Sequence, residues 1–273
     1  GTMGHGIALT AARAGLNVTL FDVAKAPVDA GYAKCVAFLD KGIARGKGSE
    51  QQKTETLARL LTSTDLAAAV ADADWVIEAI PERIDLKLSL FANLDRYAPA
   101  HAILASNTSS CSVTAMAEAT KRPDQVVGAH FFNPVPLMKL LELIRTQYTS
   151  EATVAAAQAF AERLGKTSVV IKDSPGFATS RLGIVIGLEA MRMVEQGVAS
   201  AADIDTAMEL GYRFPMGPLK LTDLVGLDVR LGIADSIFAA TGSPVFEAPK
   251  LLRTMVAQGK LGKKSGTGFY DYS

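Results

Sequence analysis

The first residues that could do chemistry stand at the start of the chain. Gly1 and Gly4 are spaced as the second and third glycines of G-x-G-x-x-G. Glycines there let an anionic group approach the backbone closely, and a helix start offers it unpaired N–H donors at the positive end of a dipole. Residues 7–15 are small and apolar and close on Gly15, which reads as that helix. Residues 17–22 then read as a strand ending in Asp22. A carboxylate about twenty residues beyond the glycines can accept from both hydroxyls of an adenosine ribose while repelling a 2′-phosphate. Gly1, Gly4 and Asp22 therefore point to a dinucleotide site selective for NAD. The alternative for Asp22 is an ordinary N-cap or turn residue. The unit's first strand and first glycine would precede Gly1, so about six to ten more residues are expected upstream. A Gly-Thr-Met expression remnant is the competing reading of that start.

Composition narrows the remaining classes. The chain has 273 residues, which at about 150 per domain predicts two domains. Its 28 basic and 28 acidic residues balance, which argues against a nucleic-acid partner. With 49% hydrophobic and 21% charged residues it is an ordinary globular chain. The longest apolar candidate, 182–194, is interrupted by Glu189 and Arg192, so no membrane span is expected. Two cysteines, Cys35 and Cys111, exclude a disulfide framework and suit a reducing, cytoplasmic compartment. Three histidines (His5, His101 and His130) leave no basis for a His-rich metal site.

The elements follow from the hydrophobic pattern. Segments 74–80, 101–106 and 125–131 read as buried strands, with helical patterns at 86–97 and 112–120 between them. Two later strands are expected at 139–145 and 167–172, around a helix at 150–164. This alternation predicts an α/β, doubly wound parallel sheet covered on both faces. Residues 24–64 are polar and helical, broken at Gly42 and at 46–49, and read as a helical hairpin. The boundary falls at Asp173-Ser174-Pro175-Gly176, which gives a first domain over 1–174 and an all-α domain over 175–273.

Several segments taken together resemble the L-3-hydroxyacyl-CoA dehydrogenase family. They are Gly-Thr-Met-Gly-His-Gly at 1–6, Ser106-Asn107-Thr108-Ser109-Ser110, and His130-Phe131-Phe132-Asn133-Pro134-Val135-Pro136. Asp203-Ile204-Asp205, Pro215-Met216-Gly217-Pro218 and the closing Gly-Lys-Lys-Ser-Gly-x-Gly-Phe-Tyr add to them. The resemblance runs the length of the chain, and within the family it is to the short bacterial 3-hydroxybutyryl-CoA dehydrogenases. It implies a Rossmann-type NAD domain, a hairpin reaching toward CoA, and a helical domain that forms a homodimer. It also implies roles: His130 as catalytic base, Glu142 as its carboxylate partner, and Ser109 as a contact to substrate and nicotinamide. Glu82, Lys87, Asn133 and Lys264 would line the NAD site, and Arg45 would meet the CoA. Ser180 stands where the family usually has an asparagine that holds the substrate.

These residue types suit the implied reaction. Oxidising a secondary alcohol removes a hydride from carbon and a proton from oxygen, and imidazole is a natural base near neutral pH. A carboxylate on the other ring nitrogen fixes the tautomer and stabilises the imidazolium. The turn after His130 would bring the strand carrying Glu142 back beside it. The resulting expectation is NAD-dependent, reversible oxidation of a short-chain L-3-hydroxyacyl-CoA. The alternatives are a dehydrogenase of a free hydroxy acid, gulonate-type, and a non-catalytic NAD-binding structural protein. Lys41, Arg45 and Lys47 could equally form a solvated helix face, and Cys111 is read as a packing residue.

Overall fold

The computed structural model describes residues 1–273, which divide into two units, Gly1–Asp173 and Ser174–Ser273. In the first unit, helix α1 (Gly4–Arg13) buries every residue from Gly6 to Ala12. Only small or purely apolar side chains allow a helix to be covered on so many sides. Gly15, at φ 83°, ends the turn that follows, and strand β1 (Val18–Phe21) begins three residues later.

Helices α2 (Lys25–Ala44) and α3 (Glu50–Ala58) come next. A capping box between Ser49 and Gln52 starts α3 by satisfying its orphan N–H groups. The hairpin is shorter than its sequence pattern suggests. Leu60–Ser63 form a strand, β2, that pairs with β1 in parallel. Four residues directly after a helix are too few to show a period of two, so this strand was hidden in the helical reading.

The remaining elements are α4 (Leu66–Val70), β3 (Trp75–Glu78), α5 (Ile84–Tyr97), β4 (Ile103–Ser106), α6 (Val113–Glu118), β5 (Val126–Phe131), β6 (Leu140–Arg145), α7 (Glu151–Arg163) and β7 (Thr167–Lys172). β1 and β2 form a two-stranded piece, and the other five strands form a sheet in the order β3-β4-β5-β6-β7. The expected all-parallel arrangement is corrected at one point: β5 and β6 run antiparallel. Residues 132–139 are too few for a parallel crossover, which takes about a dozen or more residues. α7 supplies such a crossover, and β7 runs parallel to β6. The strands between the helices are apolar: Leu104, Ala105, Val126, Leu141 and Ile144 reach no solvent.

The second unit is helical: α8 (Thr179–Glu195), α9 (Ala201–Gly211), α10 (Pro218–Val225), α11 (Leu227–Thr241) and α12 (Lys250–Ala257). Ile184, Leu188, Met191, Leu219, Leu227 and Ile237 lie in its core. Two buried carboxylates organise it. Asp205 accepts from the Leu219 and Lys220 amides at 2.8 and 2.9 Å, which caps α10, and from the Tyr270 hydroxyl at 2.7 Å. Asp223 accepts from the Phe269 and Tyr270 amides, both at 2.9 Å, and pins the C-terminal segment. Buried carboxylates persist when donors replace their water. No helix is long and apolar enough to cross a membrane.

Candidate active site

β3, β4 and β5 are mutually parallel, with Glu78 level with Ser106 and Ser106 level with Gly128. The segments after them, from Ala79, Asn107 and Phe132, therefore emerge at one edge of the sheet. That carboxyl edge is where parallel α/β sheets bind ligands.

β5 and β6 place His130 directly opposite Glu142. Opposed residues of an antiparallel pair project from the same face, with Cβ atoms about 5 Å apart. A histidine and a glutamate span that gap, and His130 Nδ1 lies 2.7 Å from Glu142 Oε2. Both residues are buried, and the Phe132 ring lies 4.6 Å from the imidazole, centroid to centroid. Asn107 ties the neighbouring loop to this strand, because its Oδ1 accepts from the Phe131 amide at 2.9 Å.

Ser109 sits on the loop after β4, half-buried and held by Glu82. Glu82 Oε1 accepts from the Ser109 and Ser110 amides, both at 2.8 Å, and from the Thr108 hydroxyl at 2.5 Å. Burial alone would push the Glu82 carboxyl up. The Thr108 hydroxyl, the Lys87 ammonium and the two amides outweigh it and bring the pKa down to about 2.

Beneath this loop lies a charged layer that the sequence reading missed. Glu78, fully buried, accepts from Lys87 Nζ at 2.7 Å, the Ile80 amide at 2.6 Å and the Ser106 hydroxyl at 2.5 Å. Lys87 Nζ also lies 3.2 Å from Glu82 Oε2. The available signal was a carboxylate inside the apolar run 74–80, because such a group needs a buried partner.

Lys87, expected at the NAD site, stands on α5. Its side chain is 1% exposed, and its ammonium is spent on Glu78 and Glu82. Lys264, also expected at the NAD site, holds Asp228 at 2.6 Å within the helical unit. Asp22 ends β1 as expected, and one of its oxygens accepts from the Val23 amide at 2.9 Å. Asn133 is exposed just beyond β5, and Arg45 is exposed at the end of α2. Ser180, half-buried, lies in the first turn of α8.

The residues fit a dinucleotide. α1 has neither a capping side chain nor an acidic residue in its first turn, and of its leading N–H groups the His5 amide bonds the Gly1 carbonyl at 3.5 Å while no side chain caps the others.

Comparison with known proteins agrees with this architecture. Residues 1–174 match the 3-hydroxyacyl-CoA dehydrogenase NAD binding domain, and residues 176–272 match the C-terminal domain of the same family. A probable 3-hydroxybutyryl-CoA dehydrogenase of Bacillus subtilis is 45% identical over 100% of this chain and 94% of its own length. The mitochondrial hydroxyacyl-coenzyme A dehydrogenase of Sus scrofa is 43% identical over 100% of this chain and 88% of its own. The crystal structure of (S)-3-hydroxybutyryl-CoA dehydrogenase from Ralstonia eutropha superposes with a TM-score of 0.96 at 42% identity, covering 100% of this chain and 96% of that one. A two-domain, NAD-dependent oxidoreductase is thus defined, and the chain belongs to the 3-hydroxyacyl-CoA dehydrogenase family.

Proposed function

We propose that the enzyme reversibly oxidises a short-chain L-3-hydroxyacyl-CoA to the 3-ketoacyl-CoA, with His130 as base and acid. The observation that carries this reading is the buried 2.7 Å pair of His130 and Glu142 at the sheet's carboxyl edge. NAD, when bound, would supply the acceptor for the hydride that leaves the carbinol carbon. His130 takes the hydroxyl proton at Nε2 and returns it in the reverse direction. Glu142 on Nδ1 fixes the tautomer and stabilises the imidazolium. Ser109 hydrogen-bonds the reacting oxygen, with Glu82 fixing the backbone that presents it.

Gly1 and Gly4 would take the pyrophosphate and Asp22 the adenosine ribose. Glu82, Lys87, Asn133 and Lys264 would line the NAD site, and Lys87 also holds Glu82. Residues 1–174 form the NAD domain, with the hairpin region near 24–64 carrying Arg45 toward a CoA phosphate. Residues 175–273 bind substrate through Ser180 and form a homodimer. Exposed Leu182, Val198, Leu210, Tyr212 and Leu224 on the helical unit support the last point. Both cysteines are unpaired, which favours the cytoplasm.

The test is an NADH-absorbance assay of 3-hydroxybutyryl-CoA against free 3-hydroxybutyrate. Turnover of the thioester and none of the free acid is expected. Turnover of the free acid alone would favour the gulonate-type alternative, and turnover of neither would favour a non-catalytic protein.

A further inference from the structure

Helix α11 buries one stripe made of Leu227, Arg230, Ala234 and Ile237. Three of these residues belong to the apolar core of the helical unit. Arg230 does not, although it is only 7% exposed. Its Nε reaches neither solvent nor a hydrogen-bond partner. Burial lowers its pKa, and no acidic group acts against that. Guanidinium keeps its proton under all ordinary conditions, so this is a buried cation without a counter-charge. Leucine or methionine would fill the same space without the desolvation penalty. The other buried charges of this unit, Asp205 and Asp223, are each fully supplied with donors.

The position of the guanidinium suggests its counter-charge. A Cβ placed on Gly183 of α8 would lie 3.4 Å from Arg230 Nη1, so the missing side chain at Gly183 leaves room for that end of the arginine. Ser180 stands three residues earlier on α8, and residues three apart share one face of a helix. The small residues Ser180 and Gly183 thus line one helical face that leads from the proposed substrate contact to the unpaired cation. Arginine is the side chain best matched to a carboxylate, which it binds through two parallel hydrogen bonds.

We propose that Arg230 receives a carboxylate at the far end of the acyl chain, so that the preferred substrates are ω-carboxylated 3-hydroxyacyl-CoAs. The proposal rests on the reading above that the enzyme acts on 3-hydroxyacyl-CoA with Ser180 facing the substrate. The terminal carboxylate plays no part in the redox step. It supplies the missing counter-charge and excludes water from the guanidinium.

Three thioesters test this by NADH absorbance: 3-hydroxybutyryl-CoA, 3-hydroxyhexanoyl-CoA and 3-hydroxyadipyl-CoA. The last two share chain length and differ in ending on methyl or carboxylate. The wild-type enzyme should show a kcat/KM about tenfold or more higher for the carboxylate, the scale of a hydrogen bond to a charged group. Arg230→Met should bring the ratio of the two close to one, mainly through KM of the carboxylated substrate, and Arg230→Lys should restore part of it. A wild-type ratio at or below one would overturn the proposal, and that measurement needs no variant to fold. An equal loss on both substrates in a folded Arg230→Met enzyme would also overturn it, by showing a purely structural arginine. NADH from the two uncharged thioesters without preference for the carboxylate would refute only the role of Arg230. NADH from none of the three would refute the assigned reaction itself.

Discussion

Glu82 shows how much of the site depends on single hydrogen-bonded charges. Its carboxyl titrates at about 2 in the folded chain instead of the ordinary 4.5. A depressed carboxyl stabilises the fold above the unfolded value, and the contribution is lost as pH falls through the folded value. The stability gap between wild type and Glu82→Gln should therefore be constant above about pH 4.5 and narrow from there toward pH 2. Chemical denaturation at a series of pH values measures it, and a gap unchanged at the acid end would contradict the assignment. At this scale the sequence was unevenly legible. His130 and Ser109 stand in distinctive local strings, whereas Glu142 and Glu82 follow only from the family resemblance those strings carry. Glu78 and Arg230 were not legible, because each acts through a partner or a gap supplied by a distant segment. Asn107 stands in one of those strings, but its bond to the Phe131 amide depends on strand pairing.

Among the elements, the β5–β6 pair matters most, because its register alone brings His130 and Glu142 face to face. Gly128 guards that register two residues before His130. A Cβ there would fall 2.7 Å from Ile144 Cβ on the paired strand, closer than real side chains come. Gly128→Ala should cost about 1–3 kcal/mol of stability through overpacking, read from urea denaturation. An unchanged midpoint would show that the strands can separate without cost, which close packing in a sheet core does not allow. The strands themselves were visible as apolar runs, and the short turn after His130 made their return legible. The existence of β2 was not, since it is settled by pairing between segments and not by any local period.

On the scale of the whole molecule, the segments that carried the family resemblance fall into two kinds. His-Phe-Phe-Asn-Pro and Ser-Asn-Thr-Ser surround the proposed chemistry in the first unit. Asp203-Ile204-Asp205 and Pro215-Met216-Gly217-Pro218 are structural in the second, and the closing glycine- and lysine-rich segment joins a structural anchor to Lys264, proposed for the NAD site. There Asp205 joins the start of α10 to Tyr270, and Asp223 holds the backbone of Phe269 and Tyr270. Motif matching finds both kinds alike, and only the structure separates residues that hold the fold from those placed for chemistry. The account stands on one pair, His130 with Glu142, and the most direct measurement is steady-state turnover of His130→Gln with 3-hydroxybutyryl-CoA and NAD. Glutamine keeps a hydrogen-bonding side chain of similar reach but cannot take the proton. NAD affinity, measured by calorimetry, should stay close to wild type while kcat falls by about 10²–10⁴, the usual contribution of general acid–base catalysis. A kcat within about threefold of wild type, far inside that range, would contradict the account and remove His130 from the mechanism.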